Sequence, residues 1–296
     1  MIVDCHMHVW QHPAELGLLV GEGSEPRSRL AADVADHMAA MEPVDLALVW
    51  GFASRCLGVE VPISFLGQHV GLQSHRLIGI AGLDPANPAW RDKLFEAIDD
   101  WGFRGVTLCP AAQDLHPLDS RATDLYEVCL QRNLPVMFDL PAAWRARGSL
   151  AFARPELLDG VAREFRGLRI LIAGFGYPFI EETIVLLEKF DTVFTDLSHL
   201  ALRPLAFSRA VALAAEAGVL DKVLFGSGFP FARPRDTLAA VYRQGSPRHA
   251  GPGLAVPPED IDELVHRDSL ALLGIPRPEG FVEPPAPPPE ETVEQS

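Results

Sequence analysis

Met1-Ile-Val-Asp-Cys-His-Met-His-Val-Trp10 opens the chain as a short apolar run that ends in His6-x-His8. In an extended strand, side chains two apart leave on the same side. Both imidazoles therefore project from one edge of the run's end. Two imidazoles aimed at one point make half of a divalent-metal site. What the rest of the chain brings to that point decides how the protein is read.

Seven more apolar runs follow, at 46–50, 77–83, 105–109, 136–139, 170–173, 193–196 and 223–225. They are apolar at nearly every position, as expected of strands covered on both faces. Helical segments lie between them. Residues 30–41 carry an apolar face and stop before Glu42-Pro43. Residues 89–101 follow the turn-rich Asp84-Pro-Ala-Asn-Pro88, and Asp119 or Ser120 caps a helix through Arg132. Residues 155–165 begin with a first-turn proline, and the alanine-rich 210–217 closes at Gly218. Strands alternating with helices read as a parallel sheet. The reading is α/β: a single-domain (β/α)8 TIM barrel over residues 1–275, with a doubly wound open sheet as the alternative. Gly and Pro make 245–258 a loop. The acidic, proline-rich tail 276–296 resists both helix and ladder and is expected to be disordered.

The bulk numbers fit this class. The chain has 296 residues, 48% of them hydrophobic, enough for one large barrel or two small domains. Its formal net charge of −15 disfavours nucleic acid and anionic membrane as partners, since both repel a negative surface. Cys5, Cys56, Cys109 and Cys129 show no paired spacing and read as thiols of a reducing compartment. The start lacks a basic run followed by an apolar one, so no signal peptide is expected. No apolar run nears the roughly 20 residues of a membrane span. Cytoplasmic location is the expectation. The expected partner is a small-molecule substrate, with homo-oligomer or protein partner left open.

In a parallel barrel the chemistry gathers at the C-terminal ends of the strands. Those ends supply His6 and His8, then Thr107 and Cys109, Asp139, Gly174, Asp196 with Ser198, and Gly228. Asp4-Cys-His6-Met-His8 resembles the first-strand motif of the amidohydrolase superfamily. Leu83-Asp-Pro85, Gly102-Phe-Arg-Gly105, Leu134-Pro-Val136, Thr195-Asp-Leu-Ser198 and Phe225-Gly-Ser-Gly-Phe-Pro230 are similar in order and spacing to the branch that includes aminocarboxymuconate-semialdehyde-decarboxylase-like proteins. The resemblance runs from Met1 to about Ile275. It implies a barrel, a divalent metal such as zinc or manganese, and hydrolysis or decarboxylation of a small, carboxylated molecule.

The departures carry equal weight. The family supplies histidines at the ends of strands five and six, where this chain has Asp139 and Gly174. It supplies an aspartate at the end of strand eight, which binds metal and shuttles a proton; here stands Gly228. Thr107 and Cys109 replace its strand-four positions. Catalytic zinc wants three protein ligands plus water. The metal-ligand reading is therefore His6, His8 and Asp139, with Asp139 and Asp196 as the catalytic candidates and Asp196 the remaining base. Metal of low occupancy, or none, is expected. His12, His116, His199 and Cys109 are substitutes, and Arg145, Arg147 and Arg233 are candidate anion holders. Two alternatives stand beside the metal enzyme: a pseudoenzyme acting as a binding or partner subunit, and a metal-free hydrolase.

Overall fold

The computed structural model describes residues 1–11, 32–139, 148–246, 248 and 254–283. Eight parallel strands form the barrel: β1 (Val3–His8), β2 (Leu46–Trp50), β3 (Leu77–Gly82), β4 (Val106–Leu108), β5 (Val136–Phe138), β6 (Ile170–Ile172), β7 (Val193–Asp196) and β8 (Val223–Leu224). They pair in chain order. The ring closes where Cys5 N–H donates to Phe225 O at 2.9 Å, His8 N–H to Phe229 O at 2.9 Å, and Gly228 N–H to His6 O at 2.8 Å. The architecture is the (β/α)8 barrel that the alternation of runs implies.

The strand boundaries follow the apolar runs to within a few residues. β1 runs through both histidines, Val3–His8. A small antiparallel hairpin, Ala53–Ser54 with Val59–Glu60, follows β2 and was not legible as a ninth and tenth strand. Asp119 accepts from Arg121 N–H and caps the helix Ser120–Gln131, as its sequence proposes. The alanine-rich helix starts earlier than expected, at Pro204, because Pro sits comfortably in a first turn. The expected tail lies mostly outside the described residues. Of the expected 245–258 loop, six positions lie outside them.

Alternation along each strand splits the core into two layers. Leu46, Leu48, Trp50, Ile78, Ile80, Met137, Leu171, Phe194 and Leu224 fill the barrel with Val3 and Cys5. Leu270, Leu273 and Ile275 join that cluster. Ala47, Val49, Leu77, Val136 and Phe138 belong to the outer cluster between sheet and helices. β1 breaks the rule. Its register against β2 shifts between Asp4 and Met7. Val3 and Cys5 face the inside, yet Met7 and Val9 belong to the outer cluster. A bulge turns successive side chains to the same side. His6 and His8 therefore face inward, where strict alternation from Cys5 would have sent them out.

A second histidine pair lies in the outer layer. His37 sits on the helix Val34–Ala40 and His69 on Ile63–Gly71. His69 Nε2 meets His37 Nδ1 at 2.9 Å, and His37 Nε2 lies 3.3 Å from Met7 Sδ. Burial pushes His37 down to about 3, with the neighbouring His69 adding to it, and pushes His69 down to about 4. Both rings are neutral in the fold at ordinary pH. Their ordinary value of 6.5 returns on unfolding, so below that pH the unfolded chain binds more protons and stability falls. Asp4, raised to about 6 by burial, acts oppositely between 3.8 and 6, but with one proton against two. The melting temperature is expected to fall steadily from pH 6.5 toward 4. A tenfold change in proton affinity is worth about 1.4 kcal/mol. A His37→Gln/His69→Gln variant should show a flatter profile in thermal melts across that range; an equally steep one contradicts the assignment.

Candidate active site

The inward turn of β1 brings His6 against three other strand ends. Its Nδ1 lies 3.1 Å from Asp196 Oδ2, at the end of β7. Its Nε2 lies 2.9 Å from His8 Nε2. Its ring stacks flat on Trp50, with centroids 3.7 Å apart and 10° between the planes. Trp50 ends β2; its Nε1–H donates to Cys5 O at 2.8 Å, and its own carbonyl faces His8 Nδ1 at 3.1 Å. His6 and Asp196 are fully buried, and His8 nearly so.

These partners assign the hydrogens. A carbonyl oxygen only accepts, so His8 Nδ1 carries a hydrogen and donates to Trp50 O. A carboxylate likewise draws the hydrogen of His6 to Nδ1. Both Nε2 atoms then present lone pairs to one another across 2.9 Å. That contact is repulsive unless one proton lies between them.

Asp196 is held from behind. Its Oδ1 accepts from Gly174 N–H at 2.7 Å, Ser198 N–H at 2.9 Å and Ser198 Oγ–H at 2.5 Å. Asp196 thus faces His6 with one carboxylate oxygen and its backbone and Ser198 donors with the other. Asp4 is anchored below: its Oδ1 accepts from His6 N–H at 3.1 Å and Ser227 N–H at 2.9 Å, tying β1 to the β8 loop.

The expected metal set is not assembled. Among the described residues, no group of three or more His, Cys, Asp or Glu side chains is placed to hold a metal ion. Asp139 is buried at the end of β5, with its N–H on Leu108 O, but it makes no such group with the two imidazoles. At a zinc–nitrogen distance of about 2.0–2.1 Å, tetrahedral coordination would hold two imidazole nitrogens roughly 3.3 Å apart; here they close to 2.9 Å. The glycines at the ends of β6 and β8 also have no room to spare. A Cβ on Gly174 would lie 2.6 Å from Ser198 O, and one on Gly228 would lie 2.6 Å from His199 Nδ1. The described residues thus do not fit the three-ligand site of the implied metal.

The remaining candidates divide. His199 reaches the cup, its ring centroid 5.1 Å from that of His6. Cys109 is buried within the larger apolar cluster. His116 is exposed and accepts from Leu118 N–H in its own turn. Arg233 is exposed before the helix Pro234–Tyr242. His12, Arg145 and Arg147 lie outside the described residues. Trp50 was missed, although it closes its run and the strand-end rule pointed to it.

Solved structures share this barrel. An uncharacterised barrel protein of Bordetella bronchiseptica superposes with a TM-score of 0.68 at 19% identity, over 92% of this chain and 99% of that one. An amidohydrolase from Burkholderia multivorans with bound zinc gives 0.67 at 14%, over 93% and 100%. A dihydroxybenzoic acid decarboxylase from Polaromonas, with manganese and 2-nitroresorcinol bound, gives 0.64 at 14%, over 92% and 96%. At such identities the likeness establishes the fold alone. Among the described residues, no helix is long and apolar enough to cross a membrane. No curated protein sequence matches the chain. The sequence profile of the amidohydrolase family, however, matches residues 3–275; the chain belongs to that family.

Proposed function

We propose that this barrel hydrolyses or decarboxylates a small carboxylated molecule by imidazole acid–base chemistry, without a resident metal. The observation that carries the reading is the 2.9 Å approach of His6 Nε2 to His8 Nε2 while each Nδ1 is held by its own acceptor. Proton exchange then runs through the Nε2 positions. The shared proton is available to a leaving oxygen or to the carbon that loses carbon dioxide. The nitrogen that gives it up becomes a base for water. Asp196 holds His6 in the required tautomer, and the flat Trp50 ring fixes its plane. The proposed substrate class is suggested by the family and by analogy with a barrel of the same fold whose name gives a carboxylated aromatic, the dihydroxybenzoic acid decarboxylase.

A second reading, a barrel that binds without turnover, draws support from the complete burial of His6 and Asp196. One set of measurements separates the readings. The protein is equilibrated with zinc or manganese, desalted and assayed for metal. It is then screened against carboxylated aromatics and lactones in the presence of chelator. The proposed function gives substoichiometric metal and chelator-resistant turnover. His6→Ala/His8→Ala abolishes that turnover, and Asp196→Asn lowers it by about 10²–10⁴. Stoichiometric metal lost in the double alanine variant, with chelator-sensitive turnover, overturns it. Absence of turnover on the whole panel favours the binding barrel.

The crowding at β6 gives a further expectation. Gly174 has φ +54°, and a side chain there meets a backbone oxygen. Gly174→His should cost about 2 kcal/mol or more in urea unfolding and bind no zinc. A stable, zinc-binding variant contradicts the steric argument.

A further inference from the structure

A side chain at position 228 would run into His199. A Cβ added to Gly228 would lie 2.6 Å from His199 Nδ1, 2.7 Å from its Cε1 and 3.1 Å from its backbone nitrogen. The His199 ring is 5% exposed. It stands edge-on to His6 at 80° and packs against Phe231 at 5.5 Å. To deliver the ring there, the loop after β7 puts His199 at φ +64°, a region that non-glycine residues enter rarely, histidine more often than most. Gly228 sits at φ +70°. The two positions therefore compete for one volume beside His6, and a side chain at 228 displaces the His199 ring.

We propose that His199 and Gly228 form a single steric exchange. The imidazole from the β7 loop takes the place from which a side chain on the β8 loop would face His6 and His8. By filling that volume it closes the cup to a third protein ligand. The inference rests on the metal-free reading above and explains what keeps the site so. It also implies that the exchange is reversible. Both positions are left-handed, where glycine is at ease and aspartate is tolerated better than most residues. Glycine at the first and a carboxylate at the second leaves one left-handed side chain, as now. Two imidazoles and one carboxylate then face a common space, which is a three-ligand set for zinc.

The test compares the full-length wild type with Gly228→Asp, His199→Gly and His199→Gly/Gly228→Asp. Each is equilibrated with zinc alone or manganese alone, desalted, and read for bound metal and for thermal shift. The double variant should hold close to stoichiometric metal and melt higher with it. Both effects should vanish when His6→Ala/His8→Ala is added. Wild type and the single variants should stay well below stoichiometry. Gly228→Asp binding metal as tightly as the double variant would falsify the exchange. So would a double variant that melts cooperatively yet takes no metal. Should His199→Gly weaken the fold, His199→Ala/Gly228→Asp is judged by the same criteria. A wild type that takes stoichiometric zinc sinks the proposed function. The exchange is then judged by whether the double variant binds roughly 10-fold or more tighter than Gly228→Asp.

Discussion

The register shift in β1 between Asp4 and Met7 is the constraint on which the site depends. A strand of period two cannot send Cys5, His6 and His8 to one side. The bulge allows it. Asp4 holds the bulge from below by accepting from His6 N–H and from Ser227 N–H. The same few residues close the barrel, since β1 pairs with the stretch from Phe225 to Phe229. Closure of the sheet and aim of the imidazoles are thus one structural event. The cost is a carboxyl group buried deeply enough to be raised to about 6.

Several groups pack around the imidazoles. Trp50 lies under His6, Asp196 and its three donors stand behind it, and His199 covers its edge. The two glycines at strand ends are part of this packing. They are not gaps awaiting a side chain. Ser198 O approaches Gly174, and the His199 ring approaches Gly228. Such packing holds the His6 ring in one orientation, as the proposed proton transfer at a single nitrogen would require.

Much of the scaffold was legible before the fold was known. The eight apolar runs gave eight strands because buried parallel strands need apolar residues on both faces. Asp119 announced its cap, and Pro155 its first turn, through local chemistry alone. The hairpin at Ala53 was not legible, because two-residue strands carry no periodicity. The partners of the histidines were only partly so. His6 and His8 share a side by spacing, but Trp50, Asp196 and His199 come from strand ends 42, 190 and 193 residues away from His8 or His6 along the chain.

Sequence by itself determined the fold class, the family, and the meeting of two imidazoles at a strand end, because these follow from periodicity and from residues near one another in the chain. Tertiary structure alone decided what those imidazoles meet. It set the 2.9 Å nitrogen contact, placed a carbonyl and a carboxylate on the two Nδ1 atoms, and filled the space beside both glycines. A glycine in a sequence says that a side chain is missing. Only packing says whether its place is empty, and here backbone oxygen and a borrowed ring already occupy it.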